Sequence, residues 1–223
     1  MPFDRKRAEA SLVEVLDGPR GGRRVGMGFR LSGDLWATAC HCLPHVRGKV
    51  TLPDPDQVAP APVLVRLREW GAPRTAVAVL LAADPCSDFA LLGSPPAGLS
   101  LPEEPMPMVR LADLAASREA TQLEWTPSAS APVFVYTHES RWVVGTVKNS
   151  LITIMRQPDR IRQGTSGAPV FNRDGRVEGL VGFNDVRLAD ANLCALADHL
   201  PGWALRRLRQ AEEAGVAAGP PWP

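Results

Sequence analysis

Three short segments of this 223-residue chain carry side chains that could work together on a carbonyl group. His41 lies in Thr38-Ala39-Cys40-His41-Cys42 at the end of an apolar run. Asp88 opens Asp88-Phe89-Ala90-Leu91-Leu92, and Ser166 sits between glycines in Gly164-Thr165-Ser166-Gly167-Ala168-Pro169. Each has an ordinary explanation alone: a packed core histidine, a strand-capping aspartate, a turn whose glycines take φ values that other residues resist. In the order His, Asp, Ser they are the parts of a nucleophilic mechanism. A serine hydroxyl attacks weakly until a base within hydrogen-bond reach takes its proton, and that base needs a carboxylate to fix its tautomer and stabilise the imidazolium. The tetrahedral intermediate then needs two convergent backbone N–H donors, which a Gly-x-Ser-Gly turn can aim at one point.

The elements that must position these groups are short. From Ser11 onward the runs LVEVL, VGMGFRL and LWATACHCL, then VLVRLREW, TAVAVLLAAD and FALLG, are bounded by Gly, Asp and Pro and read as strands joined by tight turns. The segment from Ser94 to Pro107 reads as a linker, because its prolines remove donors and fix φ. Strands resume in PVFVYTHESRWVVGTV and SLITIM, and APVFNRDGRVEGLVGF reads as a hairpin turning at Asn172, Arg173, Asp174 and Gly175. A helix is expected from about Asp190 to Ala214, interrupted at Pro201, with Ala204, Leu205 and Leu208 on one face and Arg206, Arg207 and Arg209 on the other. The segments from Leu52 to Pro62 and from Ala112 to Pro132 are too irregular to assign.

Composition agrees with a loop-rich, all-β domain: 22 Pro, 19 Gly and 6% aromatic residues mean many turns and few long helices. With 25 Lys+Arg against 24 Asp+Glu, a net charge of +1 provides no long-range field for nucleic acid or an anionic membrane, and neither is expected as a partner. No run approaches the roughly 18 apolar residues of a membrane span, and the first residues carry no apolar stretch of signal-peptide length. A cytoplasmic location is therefore expected. The four cysteines are too few and too unevenly spaced for a disulfide framework.

Taken together, TACHC, DFALL and GTSGAP resemble the TAAHC, D-x-A-L-L and G-D-S-G-G-P motifs of trypsin-like serine peptidases of the chymotrypsin fold, over roughly Ser11 to His199. Thr165, a non-acidic residue before the serine, and the hairpin after it are similar to prokaryotic, cytosolic branches. The resemblance implies two six-stranded antiparallel β-barrels with a C-terminal helix. The expected organisation is residues 8–105 for a barrel carrying His41 and Asp88, 106–200 for one carrying Ser166, and 201–223 for the helix and tail. It implies Ser166 as nucleophile, His41 as general base and then acid, Asp88 as orienting carboxylate, and the N–H groups of Gly164 and Ser166 as oxyanion hole. It implies a protein or peptide substrate cleaved through an acyl-enzyme, with no metal or organic cofactor.

Other readings stay open beside this one. Asp84 is a rival carboxylate, although the residues that follow Asp88 match the family better, and Asp84 is assigned a structural role. Arg160 and Gln163 are the candidates for substrate binding: Arg160 in the specificity pocket would favour an acidic residue, a one-residue shift placing Asp159 there would favour a basic one, and Arg160 could equally be a surface charge. The family's ion pair between an acidic residue before the serine and a cleaved N-terminus is excluded by Thr165, so the site forms without cleavage or is ordered by substrate or partner. The family's disulfide beside the histidine is missing, since no cysteine lies upstream of Cys40 and Cys42 within the first strands. Cys40, Cys42 and Cys86 read as small buried hydrophobes or, with His45, as a redox or metal-inhibition switch. The alternative function is a catalytically silent peptidase-fold binding module within a larger bacterial signalling or defence assembly, with a partner protein regulating it.

Overall fold

In the computed structural model, the residues described are 3–17, 22–31, 34–43, 62–99, 108–114, 121–124, 131–155, 160–182 and 191–196. The expected runs become strands. β1 (Leu12–Leu16), β2 (Arg24–Arg30), β3 (Trp36–Ala39), β4 (Leu64–Glu69), β5 (Thr75–Asp84) and β6 (Phe89–Gly93) form one closed antiparallel barrel in the order β1-β2-β3-β6-β5-β4. β7 (Pro132–Tyr136), β8 (Trp142–Lys148), β9 (Leu151–Ile154), β10 (Pro169–Phe171), β11 (Val177–Val181) and β12 (Ala191–Leu196) form a second, in the order β7-β8-β9-β12-β11-β10. The strand order of the first barrel is thus repeated in the second. The fold is all-β, of the chymotrypsin type.

Strands β3 and β6 are buried on both faces along their whole length. Side chains alternate across a strand, and here the alternation sorts residues between two cores. Val13, Trp36, Ala90 and Leu92 fill the first barrel with Val65, Leu67 and Ala78. Their neighbours Leu12, Ala37, Phe89 and Leu91 belong to a layer shared with Val133, Val135, Ala168, Val170 and Phe171 of the second barrel. Runs such as FALLG are therefore continuous rather than alternating.

The segment before β1 ties the barrels together from outside. Asp4 caps the short helix α1 (Arg5–Ala10), Phe3 stacks on Phe134 at 4.8 Å and meets Trp142 edge-on at 5.1 Å, and the Trp142 indole N–H donates to Glu9 at 2.6 Å. The connection between barrels also contributes: Thr121 Oγ1 donates to Arg30 O at 2.7 Å, and Leu123 bridges to Val177.

The hairpin at Asn172–Gly175 forms as expected: Asn172 Oδ1 accepts the N–H groups of Asp174 and Arg176, and Gly175 takes φ +78°. The helix expected from Asp190 is corrected at its start, because residues 191–196 are β12, paired with β9 and β11. A six-residue apolar run does not by itself choose between helix and strand. Here the unpaired edges of β9 and β11 decide, since a sixth strand satisfies both and closes the barrel. The rest of that expected helix lies outside the described residues.

Candidate active site

The separation of 47 positions between His41 and Asp88 is closed by one strand pair. β3 and β6 run antiparallel with Ala39 opposite Phe89, so the residues just past the end of β3 meet those just before β6. Cys40 N–H donates to Asp88 O at 3.1 Å. A single 3₁₀ turn, Cys40–Cys42, then buries both cysteines and leaves the His41 ring half-buried between them. Asp88 adopts φ +53°, a left-handed conformation that aspartate tolerates better than most residues. That conformation turns its carboxylate onto His41: Oδ1 accepts the backbone N–H at 3.0 Å, and Nδ1 lies 3.0 Å from Oδ1 and 2.8 Å from Oδ2. The ring is held by its Nδ1 edge, the arrangement that orients an imidazole.

Asp84 is engaged elsewhere. Its Oδ1 accepts Cys86 N–H at 3.0 Å, and its Oδ2 accepts Ser87 N–H at 3.3 Å and the Ser87 hydroxyl at 2.7 Å. It shapes the turn between β5 and β6 that delivers Asp88, a structural task.

Ser166 reaches the first barrel through its own main chain. Its carbonyl accepts Met27 N–H of β2 at 2.7 Å, while Gly167 N–H donates to Val181 O at 2.7 Å in β11. The loop before β10 is thereby pinned to both barrels. Gly167 is required there on two counts: φ is +83°, and a Cβ would overlap Met27 O and come within 2.6 Å of Thr38 Oγ1. Gly26 on β2 is a second close approach, where a Cβ would overlap Cys42 Sγ and lie 2.8 Å from Ser166 O. Cys42 Sγ sits 3.9 Å from His41 Nε2 and 3.6 Å from Ser166 O. The ring nitrogen turned away from Asp88 and the main chain of Ser166 thus flank a single sulfur atom.

The turn that carries Ser166 is compact. Gly164 has φ +96°, Thr165 N–H donates to Arg162 O at 3.1 Å, and Ala168 N–H donates to Thr165 O at 3.0 Å. Thr165 is fully buried, and its hydroxyl lies 3.3 Å from His138 N and 3.1 Å from His138 Nδ1. His138 was invisible in the sequence, where nothing links it to a residue on another hairpin. Burial holds its imidazole below the usual histidine range, helped by Arg24, Arg162 and Arg141 and opposed by Glu139.

The remaining candidates are placed with less to hold them. Arg160 and Gln163 are exposed, and Asp159 lies outside the described residues. Arg162 is tied to Glu139 at 3.0 Å. Burial first, then the charges of Asp88 and Asp84, push the Cys40 thiol up to about 11, so it stays protonated and poorly reactive. Cys42 is buried and Cys86 is exposed; His45 lies outside the described residues.

Among curated proteins, none matches the sequence. Among solved structures, a serine endoprotease from Yersinia pestis superposes with a TM-score of 0.57 at 14% identity, over 97% of this chain and 70% of that one. The Rv3671c protease of M. tuberculosis, in an inactive form, superposes at 0.53 with 18% identity over 90% of each chain. Identities this low speak to the fold alone, but the sequence profile of the trypsin-like peptidase domain matches residues 26–180, from the glycine beside Cys42 to the strand that anchors Gly167. With two barrels of repeated strand order and a histidine held by an aspartate beside a glycine-flanked serine, the chain belongs to the trypsin-like peptidase family.

Proposed function

We propose that the protein is a serine endopeptidase that hydrolyses peptide bonds through an acyl-enzyme on Ser166. The observation that carries this reading is the two-point grip of Asp88 on His41 beside a Ser166 main chain bonded to the same barrel. Ser166 Oγ attacks the scissile carbonyl carbon while His41 Nε2 accepts the hydroxyl proton. Asp88 keeps the other proton on Nδ1 and stabilises the imidazolium. The N–H groups of Gly164 and Ser166 receive the negative charge that develops on the carbonyl oxygen. As the C–N bond breaks, His41 returns its proton to the leaving amine; water then attacks the ester by the same steps in reverse order.

The exposed Arg160 has no ion-pair partner among the described residues, and on this reading it selects an acidic side chain before the scissile bond. A peptide library should show that preference, and Arg160→Ala should reduce it.

Labelling with a fluorophosphonate probe tests the central claim. The wild-type protein should be modified at Ser166 and Ser166→Ala should not, and cuts mapped in a proteome should vanish with the same substitution. A wild type that neither labels nor cuts would instead favour a binding module built on the peptidase fold.

A further inference from the structure

The turn bearing Ser166 and Gly164 needs a support, since its donors work only if they are held in place before the oxyanion forms. Thr165 lies at the centre of that turn, and its side chain is fully buried. Among the described residues, both hydrogen-bond partners of its hydroxyl come from His138. We propose that His138 is a positioning residue that holds the Gly164–Ser166 turn in its oxyanion-binding form by gripping the Thr165 hydroxyl. This rests on the reading of Ser166 as the nucleophile.

The chemistry fits a neutral ring. His138 N–H donates to Thr165 Oγ1, so the hydroxyl hydrogen is left to donate, and Nδ1 at 3.1 Å is an acceptor only while it carries no proton. On protonation both ring nitrogens become donors, and the buried hydroxyl hydrogen loses its acceptor, which an interior does not tolerate cheaply.

His138 is itself well held. It lies in the tight turn between β7 and β8, where Thr137 N–H donates to Arg141 O at 2.8 Å and Ser140 N–H donates to Thr137 O at 2.9 Å. Its carbonyl accepts Arg24 Nη1 from β2 at 3.5 Å, and its ring lies 3.5 Å from the position a Gly164 Cβ would take. The charged groups that face it are Arg24 from β2, Arg162 from the loop before Ser166, and Glu139 and Arg141 from its own turn. Three of the four are cationic, and with burial they keep the ring neutral near pH 7.

The test compares His138→Ala, Thr165→Val, their double variant and His138→Gln. Readouts are kcat and KM on a fluorogenic peptide built from a mapped cut site, affinity for a peptide boronate, and hydrogen exchange of the peptide spanning residues 160–168. His138→Ala and Thr165→Val should each lower kcat about 10- to 100-fold, less than the roughly 10²- to 10³-fold that removing an oxyanion donor outright costs. KM should stay within about twofold, boronate affinity should fall in parallel with kcat, and the double variant should lose no more than either single one, as expected of residues acting as a unit. His138→Gln, which keeps a side-chain acceptor, should recover most of the loss. Exchange across residues 160–168 should quicken in the first three variants.

An active wild type with His138→Ala unchanged in kcat and exchange, or with losses that add in the double variant, would overturn the proposal alone. An inactive wild type whose 160–168 exchange still quickens in His138→Ala would sink the reading of Ser166 and leave the support standing. An inactive wild type with unchanged exchange would remove both.

Discussion

The two barrels share one strand order and hold their parts of the site by different means. In the first, strand pairing does nearly everything: with Ala39 opposite Phe89, the backbone of Cys40 and His41 falls against Asp88, and the carboxylate needs only its own left-handed φ to reach the ring. In the second, Ser166, the proposed nucleophile, stands on a loop between strands. That loop is fixed by bonds that leave it, to Met27 in the other barrel, to Val181 in β11 and to His138 in the neighbouring hairpin. A base and its carboxylate can be built into a ladder, because their relative position is local once the register is set. A nucleophilic serine with two inward N–H groups cannot, since those N–H groups must point at substrate rather than at a partner strand.

Substitutions can break this contrast from either side. The largest effect is expected in the first barrel, where Asp88→Asn keeps shape but permits the wrong imidazole tautomer, and kcat should fall about 10⁴-fold with little change in melting temperature. Steady-state kinetics beside a thermal melt checks this. In the second barrel Gly167→Ala should damage stability and activity together. Its Cβ would overlap Met27 O at a positive φ, and we expect about 2–3 kcal/mol lost by denaturant titration and at least a 100-fold loss in kcat/KM.

A pH titration sharpens the contrast further. His138 is held below its unfolded value, so the unfolded chain takes up a proton at higher pH than the folded one. Its contribution is intact above the ordinary histidine pKa and is lost as pH falls through that window to the lowered one. Stability to urea should therefore decline on acidification less in His138→Gln than in the wild type, and the acid limb of kcat should lose one of its protons. The smallest effect is expected at Asp84. Asp84→Ala should cost about 1 kcal/mol through its turn while kcat falls by less than tenfold, because Asp88 keeps its own bonds to His41. An Asp84→Ala variant as inactive as Asp88→Asn would mean that the turn, and not the register, places the carboxylate.

Much of the first barrel was legible beforehand. Six apolar runs became six strands, and the preference for Asp88 over Asp84 rests on the resemblance of Asp88-Phe89-Ala90-Leu91-Leu92, the start of β6, to the family motif. The second barrel was read less well. By its sequence ANLCAL (191–196) reads as the start of a helix, and only the open edges of β9 and β11 make it a strand. His138 carried no signal at all, because its partner lies on another hairpin and neither residue type is unusual in a turn. Gly26 carried one that is clear only in retrospect: a glycine inside a strand marks a close approach, here to Cys42 and Ser166.

The amino-acid order alone determined which reactive groups exist, which of them stand beside strands, and where glycine permits a backbone conformation or an approach that other residues forbid. These are properties of a few neighbouring residues, and local sterics and side-chain periodicity are enough to express them. Only the tertiary structure decided that Asp88 closes on His41 with two oxygens, that Met27 takes the Ser166 carbonyl and that Thr165 rests on His138. Such distances result from the packing of two whole barrels against each other, and no stretch of chain short enough to be read as a motif contains that information.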